Sequence, residues 1–161
     1  VVIDSLDWLE SLIWKQVCTD NKVPSIEKIG YGRGYNEALV FWSYFFDELN
    51  KCRDKGMLVI MTAHSQVNKV DDPEYLTFDT HDIKLHKKAA ALCREFADVI
   101  GYASLKKIIK VTDDRNRAIS TGERLLNLST SPAYTAKNRY DMPSTMPLLW
   151  SEFAKHLPSQ K

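Results

Sequence analysis

A carboxylate and a hydroxyl directly follow the first apolar segment of the chain. Val1 to Ile3 form a short β-branched run, and Asp4 and Ser5 come immediately after it. Such runs are typical of buried strands in parallel sheets, where a terminal carboxylate can hold Mg²⁺, through its waters, beside a nucleotide. The same pattern also arises where an aspartate simply caps the next helix. Asp4 and Ser5 are therefore candidates for nucleotide contact, with Asp4 as the carboxylate for the metal.

A histidine follows the second apolar run at a comparable position. Residues 57–62 lie between Gly56 and a polar segment, and His64 comes two residues later. If both runs are neighbouring parallel strands, His64 and Asp4 lie at the same edge of the sheet. A lone histidine after a strand is often a surface or capping residue. The position of His64, one strand-helix-strand unit after Asp4, makes it a candidate functional residue.

Two cations stand close together near the end of the chain. Lys137 and Arg139 flank Asn138, between the last predicted strand and the last predicted helix. A guanidinium and an ammonium can offset the charge that develops on a transferred phosphoryl group. A solvated basic loop is the simpler alternative for such a short pattern. Lys137 and Arg139 are therefore candidate catalytic residues only in combination with the other segments.

Apolar periodicity predicts the elements that position these groups. Helical spacing is present over residues 6–18 and again over residues 35–55, and these helices flank a glycine-containing segment. A strand, a helix and a second strand make a βαβ unit, which predicts an α/β fold with a mainly parallel sheet flanked by helices. Glu10 lies in the first predicted helix. We expect its side chain to be exposed and do not choose it as a catalytic base.

Loops and a hairpin complete the predicted topology. Residues 19–34 and 65–82 carry glycine, proline and many polar side chains, which predicts two long loops. We expect all the elements to form one domain over residues 1–161. The other predicted elements are a helix over residues 83–97, a strand over residues 99–103, an antiparallel edge hairpin with a charged tip at residues 113–117, and a helix over residues 147–157.

Length, composition and charge limit the class of protein. A chain of 161 residues that is 44% hydrophobic can bury a continuous core. Its 22 basic and 21 acidic residues nearly cancel, so any basic surface must be local. No apolar run approaches the roughly 20 residues of a membrane span, and the three separated cysteines fit a reducing compartment. We expect a cytoplasmic protein without membrane contact, and a fragment of a longer chain, because it opens directly on a strand without Met.

The three segments together resemble the motifs of RecA-like P-loop ATPases. Residues 1–5, VVIDS, resemble a Walker B element, and residues 137–139, KNR, resemble the element that reaches into a neighbouring subunit's nucleotide. His64 stands where these proteins carry a side chain that senses the terminal phosphate. The Gly34-Tyr35 pair and the stretch 138–143, NRYDMP, are similar to the phage nucleotide-binding proteins of this superfamily, the single-strand-annealing relatives of RecA. The resemblance covers nearly every residue.

The resemblance implies a partial RecA-like core that begins at the Walker B strand, with ATP and Mg²⁺ as cofactors of the full-length parent. The resemblance further implies that Asp4 coordinates magnesium through water, with Ser5 beside it, and that His64 senses the γ-phosphate. It also implies that Lys137 and Arg139 act in trans, and hence a homo-oligomer or filament in the cytoplasm of a bacterial host. The sequence lacks both a GxxxxGK[ST] loop and the water-activating glutamate that usually precedes Walker B. We therefore expect the chain alone not to hydrolyse ATP.

The two predicted loops are also candidates for DNA contact, because the resemblance places such loops along the DNA channel of RecA-like filaments. Tyr31, Arg33 and Tyr35 combine aromatic and cationic groups among glycines, which suits base stacking and phosphate contact with single-stranded DNA. Lys69 in the second loop is a weaker candidate, with His81. Mobile solvated loops are the alternative. None of the four histidines stands in a recognised zinc-ligand spacing.

Three functional hypotheses follow from these patterns. The first is an ATP-dependent, oligomeric ATPase that acts in recombination or annealing of single-stranded DNA. The second is a non-catalytic, nucleotide-free module that keeps the fold and the subunit interface. The third is a metal-dependent nuclease that uses Asp4 and His64. A phosphate-binding loop elsewhere in the gene product favours the first hypothesis, and its absence there favours the second.

Overall fold

The computed structural model describes residues 1–73, 76–112 and 115–157. The chain divides into two compact units, each with its own buried apolar cluster. The first unit contains residues 1–66 and 82–96, and the second contains residues 67–81 together with those from residue 97 onward. The sequence-based expectation of one domain over the whole chain stays a prediction.

The first unit contains a parallel pair of very short strands. Strand β1 (Val2–Ile3) pairs in parallel with β2 (Ile60–Met61), with Val2 opposite Ile60 and Ile3 opposite Met61. Each strand is shorter than the apolar run that predicted it. Because the strands are parallel, their carboxyl ends meet at one edge, as the sequence predicted for the residues that follow them.

Three helices make up most of the first unit. They are α1 (Leu6–Asp20), α2 (Arg33–Asp54) and α3 (Lys87–Phe96). The segment that joins α1 to α2 contains one 3-10 turn, Ile26–Lys28, and is otherwise irregular, as predicted. The predicted boundaries of the first two helices are confirmed to within two residues. Helix α3 begins four residues later than predicted, because residue 83 belongs to a strand.

Aromatic packing on α2 forms the centre of the first unit. Trp42 is completely buried, and its ring lies 5.8 Å from the rings of Phe45 and Phe46. Phe46 in turn stacks on Phe96 of α3 at 4.5 Å. Aromatic pairs at these distances add to the large area that each ring removes from water. The core therefore fixes α2 against α3.

Strands replace most of the second predicted loop. β3 (Ser65–Val70) and β4 (Phe78–Ile83) form a two-stranded sheet, so the prediction of an irregular segment over residues 65–82 is wrong. Exposure alternates along β3, as a period of two requires. Polar side chains occupy both faces of this strand, so the apolar alternation that identifies a strand in a sequence is absent.

The second unit is mainly antiparallel sheet. Tyr102–Thr112 and Arg115–Asn127 pair as a long hairpin, which confirms that a hairpin forms here. Residues 115–117, predicted to form its tip, are instead paired strand residues, and residues 113 and 114 lie outside the described residues. Leu128, Met142 and Met146 form the buried cluster of this unit. In chain order its elements are β5 (Val99–Ile100), β6 (Tyr102–Thr112), β7 (Arg115–Asn127), β8 (Lys137–Asn138), β9 (Thr145–Pro147), α4 (Trp150–Phe153) and a 3-10 turn at Ala154–His156.

The α/β class is confirmed, but the predicted mainly parallel sheet is not found among the described residues. Among the strand pairs with a described register, β1–β2 is parallel, whereas β5–β8, β6–β7 and β7–β9 are antiparallel. The described strands belong to four separate small sheets. An apolar run shows that a strand is buried, but it does not specify the direction of its partner. Direction depends on chain connections, and a short connection produces a hairpin.

Candidate functional site

The carboxyl edge of β1 and β2 brings together a carboxylate and a hydroxyl. The side chain of Asp4 is exposed, and its Oδ1 accepts a hydrogen bond of 2.5 Å from Oγ1 of Thr62. The Thr62 backbone binds the residues on either side of Asp4 and Ser5. Its N–H donates to the Ile3 carbonyl, and its carbonyl accepts from the Leu6 N–H, both at 2.9 Å. An exposed carboxylate held from one side by a hydroxyl suits a hydrated Mg²⁺, which prefers oxygen ligands and keeps several waters.

Ser5, the residue that follows Asp4, is buried. Its Oγ donates a hydrogen bond of 2.7 Å to Oδ1 of Asp7, in the first turn of α1. The Asp4–Ser5 peptide bond is cis. Ser5 was predicted to contact a cofactor, and its hydroxyl is engaged with Asp7 in this structure. The prediction of nucleotide contact for Ser5 remains a prediction.

His64 is held by Asp7 through two hydrogen bonds. Its ring Nδ1 lies 2.9 Å from Oδ2 of Asp7, and its backbone N–H donates to Oδ1 of the same carboxylate at 3.3 Å. The side chain of His64 is 67% exposed, whereas that of Asp7 is only 12% exposed. Asp7 is therefore a largely buried anchor, and the His64 ring is presented to solvent.

The pKa of Asp7 follows from these contacts. Burial alone would raise it, but hydrogen bonds from the Ser5 hydroxyl and from both the ring and the backbone of His64 outweigh burial and lower the pKa from 3.8 to about 2. Hydrogen bonds to the charged form of a carboxylate favour that form. Asp7 is therefore ionised throughout the neutral range.

A second carboxylate of α1 behaves in the opposite way. Glu10 is only 6% exposed, and both of its carboxylate oxygens accept from the backbone N–H of His86, at 3.1 and 3.0 Å. Burial raises the pKa of Glu10, the backbone N–H of His86 opposes the rise, and the charge of Asp7 adds to it. The sequence-based expectation that Glu10 is exposed is wrong. The residue lies on the buried face of α1, four positions after Leu6 and three before Ile13.

Three aromatic rings contact one another beside Glu10, whose carboxylate accepts from the His86 backbone N–H. His86 stacks on Tyr35 with ring centroids 4.3 Å apart and an interplanar angle of 1°, and Trp14 meets both rings edge-on. Burial lowers the pKa of His86, and the neighbouring Lys87 and Lys88 lower it further. An open cleft of about 580 Å³ lies beside Glu10, Trp14 and His86. The chemistry-bearing residues that line it are Asp7, Glu10, His64, Lys84 and His86.

The predicted basic segment lies in the second unit. Lys137 is part of β8, where it pairs with Ile100. Arg139 forms an ion pair with Asp98, with Nη1 and Oδ1 2.9 Å apart, and its backbone N–H donates to the Asp98 carbonyl at 3.2 Å. The hydroxyl of Tyr140 donates to the other oxygen of Asp98 at 3.1 Å. The guanidinium of Arg139 is thus held within its own chain, and its predicted role in trans is untested.

The candidate DNA-contacting residues lie in different surroundings. Tyr31 is fully exposed and Arg33 begins α2, and both line a second open cleft of about 410 Å³ in the first unit, together with Lys28. Tyr35 instead packs against Trp14 and His86. The fourth candidate belongs to the second unit, where Lys69 is exposed on β3. Of the four candidates, the structure places Tyr31 and Arg33 together.

Pattern reasoning missed the residues that support the candidate site. Glu10 was considered and set aside as exposed, and Thr62, Asp7 and His86 were not singled out. All four bond to or line the surroundings of Asp4 or His64. A helical-wheel projection of α1 places Glu10 on the same face as its apolar residues. Nothing in the sequence indicates the contact between Asp7 and His64, which are 57 positions apart.

The described residues contain neither a metal-binding cluster nor a helix that could span a membrane. No group of three or more histidine, cysteine, aspartate or glutamate side chains there has a geometry that could hold a metal ion. Within the same part of the chain, no helix is both long enough and apolar enough to cross a bilayer.

An α/β domain with Asp4, Thr62 and His64 at the carboxyl edge of two parallel strands has the layout of a nucleotide-binding domain. Comparison with protein families agrees with the class of nucleotide-binding domains. The sequence model of the AAA domain family matches residues 1–140, and the chain belongs to that family. No curated protein and no solved structure matches the chain. Family membership supports nucleotide binding and an ATPase-like function in general terms.

Proposed function

We propose that this domain is part of a RecA-like ATPase that acts in phage DNA recombination or single-strand annealing and works as a homo-oligomer. The observation that carries the proposal is the edge where Thr62 holds the exposed carboxylate of Asp4, with His64 two residues further along the same segment. Membership of the AAA domain family supports the nucleotide-dependent part of this proposal. The order of the sequence motifs supports the recombinase part.

Asp4 is the residue best suited to hold magnesium at this edge. Its carboxylate is exposed, so it can bind the ion through water, and the hydroxyl of Thr62 fixes its orientation. Bound Mg²⁺ supplies positive charge that offsets the negative charge of the β- and γ-phosphates. His64, largely exposed and anchored by Asp7, provides the neighbouring hydrogen-bonding group for the terminal phosphate.

Lys137 and Arg139 supply positive charge to the nucleotide of a neighbouring subunit in this proposal. Since the guanidinium of Arg139 is paired with Asp98, it must exchange that carboxylate for a phosphate when subunits assemble. The ion pair is partly exposed, and pairs of this kind contribute about 1 kcal/mol or less. A phosphoryl group with several negative oxygens is a stronger partner for a guanidinium.

Single-stranded DNA is the proposed polymer ligand. Tyr31, exposed beside Arg33 and Lys28, offers a ring for base stacking next to two cations for phosphates. Lys69 adds an exposed cation on β3. One face of the Tyr35 ring is stacked on His86, so that face is not available for base stacking. Through this contact Tyr35 supports the segment that carries Tyr31 and Arg33.

The test is ATP turnover by the full gene product, with and without single-stranded DNA, measured beside the 161-residue chain. We expect Mg²⁺-dependent turnover that DNA stimulates in the gene product, and none in the chain, which lacks a GxxxxGK[ST] segment. Turnover in neither protein contradicts the proposal and favours a non-catalytic assembly module. Mg²⁺-dependent DNA cleavage that disappears in Asp4→Ala contradicts it in favour of a nuclease.

A further inference from the structure

The contact between Asp7 and His64 defines which ring nitrogen carries a proton. Asp7 is ionised in the neutral range, because its pKa is about 2. An ionised carboxylate only accepts hydrogen bonds. The His64 Nδ1 atom, 2.9 Å from Oδ2 of Asp7, must therefore be the donor of that bond. In its neutral form the His64 ring thus carries its proton on Nδ1 and a lone pair on Nε2.

The same carboxylate also fixes the orientation of the ring. Asp7 accepts from the backbone N–H of His64 and from the Ser5 hydroxyl through Oδ1, which leaves Oδ2 for the His64 ring. A partner that binds both the backbone and the ring of one residue restricts its side-chain rotation. Because Asp7 is itself largely buried, it cannot follow the ring into solvent.

We propose that Asp7 is a positioning residue for His64: by binding Nδ1–H and the backbone N–H together, it makes Nε2 the hydrogen-bonding atom that His64 offers to the nucleotide. The role of the nucleotide in this statement rests on the proposed function, whereas the hold on the ring does not. Neutral His64 then accepts a hydrogen bond at Nε2, and protonated His64 donates one there. Ionised phosphate oxygens only accept, so a direct contact with a fully ionised γ-phosphate uses the protonated ring.

Nitrogen NMR of the 161-residue chain tests the hold on the ring without any nucleotide. The ¹⁵N shifts of His64, recorded through its titration, distinguish a bare Nε2 from a bare Nδ1 in the neutral ring. We expect a bare Nε2 in the wild type. In Asp7→Asn we expect the bare nitrogen to become Nδ1, because an amide can donate to that atom. Asp82→Asn, which removes the carboxylate partner of Arg94 in the same unit, is the matched control and leaves His64 unchanged.

A neutral wild-type ring with a bare Nδ1 overturns the proposal, and this result needs no variant to fold. An unchanged His64 tautomer in a folded Asp7→Asn chain overturns it as well. Either result concerns the ring alone, so it can be told apart from a failure of the proposed ATPase function.

Kinetics of the full gene product test the functional half. We expect Asp7→Asn to lower kcat for ATP by about 10- to 100-fold, the usual effect of removing a residue that orients a functional histidine. We expect KM to change by less than about threefold, because the affected contact belongs to the reacting phosphate. A purely structural role for Asp7 predicts a lower melting temperature with kcat unchanged per folded molecule, and that result contradicts positioning.

Discussion

Two aspartates in this chain each bind a side chain with a predicted function, and they do so at the same distance. Asp7 lies 2.9 Å from the His64 ring in the first unit, and Asp98 lies 2.9 Å from the Arg139 guanidinium in the second. Asp7 is 12% exposed and its partner 67% exposed, whereas Asp98 is 24% exposed and its partner 54% exposed. The aspartate that holds His64 is thus the more deeply buried of the two.

The difference in burial distinguishes a contact that positions a side chain from a contact that holds a side chain until it is released. Asp7 has a strongly lowered pKa because it accepts several hydrogen bonds, so it remains charged and keeps the ring in one orientation. A histidine held in this way can act without moving. In the proposed oligomer, Arg139 would have to leave Asp98 before it could reach another subunit. The Asp7 contact therefore keeps His64 where we expect it to act. The Asp98 contact holds Arg139, which we expect to be released on assembly.

The largest effect is expected from Arg139→Ala in the assembled gene product. If the guanidinium acts in trans, ATP turnover falls by about 10³-fold or more, the usual range for an arginine that stabilises phosphoryl transfer. Stability changes little, because a partly exposed ion pair contributes about 1 kcal/mol or less. Steady-state turnover and thermal unfolding measure the two quantities.

Asp98→Asn is the matched control for that prediction, since it breaks the same ion pair and leaves the arginine in place. We expect turnover within about threefold of the wild type, because only the partner that is given up on assembly has changed. An equal loss of turnover in Asp98→Asn and Arg139→Ala shows that the pair matters for the fold of the second unit and contradicts the role in trans.

Acid should weaken the first unit through Asp7. The pKa of Asp7 is 3.8 in the unfolded chain and about 2 in the folded one, so its contribution to stability is present above about pH 4 and is lost as the pH falls through about 2. The size of the contribution is about 2 kcal/mol. Denaturant unfolding at a series of pH values should show this loss in the wild type, with a flatter profile in Asp7→Asn. Parallel profiles for the two proteins contradict the assigned contacts.

Glu10 offers the opposite test on the same helix. Its pKa is raised by burial, so the stability that its neutral form contributes is present below the ordinary pKa and is lost as the pH rises through the raised one. Glu10→Gln keeps an oxygen for the His86 N–H and removes the charge, and we expect stability at neutral pH to be unchanged or to increase by about 1 kcal/mol. Glu10→Ala removes the acceptor as well and should cost about 1–3 kcal/mol. Chemical denaturation compares the two, and equal losses contradict a buried, hydrogen-bonded carboxylate.

The sequence predicted α1, α2 and the β6–β7 hairpin because each has a strong local pattern. The apolar spacing of α1 and the paired strand segments around a charged tip depend on neighbours a few positions away. Strands β3 and β4 were missed because polar residues such as Asn68 and Asp79 interrupt the alternation that marks a strand. The direction of strand pairing could not be predicted from the local sequence pattern either, as the antiparallel β5–β8 pair shows.

Residue types identified the exposed members of the candidate site but not their supports. Asp4 and His64 follow apolar runs, so their place at a sheet edge could be predicted. Asp7 and Thr62 support them through contacts between residues 57 and 58 positions apart, and such contacts depend on how β1, β2 and α1 pack. Glu10 is the intermediate case, since its face of α1 was predictable, although its bond to His86 was not.

The central claim, that the edge at Asp4 is where Mg²⁺ and nucleotide meet, is tested most directly by Asp4→Ala. Turnover of ATP by the full gene product would be measured over a range of Mg²⁺ concentrations, with Asp82→Asn as a matched carboxylate control in the same unit. We predict that Asp4→Ala lowers turnover by about 100-fold or more at every Mg²⁺ concentration while the melting temperature is retained, because Asp4 is exposed. Turnover in Asp4→Ala equal to that of the control, with an unchanged dependence on Mg²⁺, would contradict the claim.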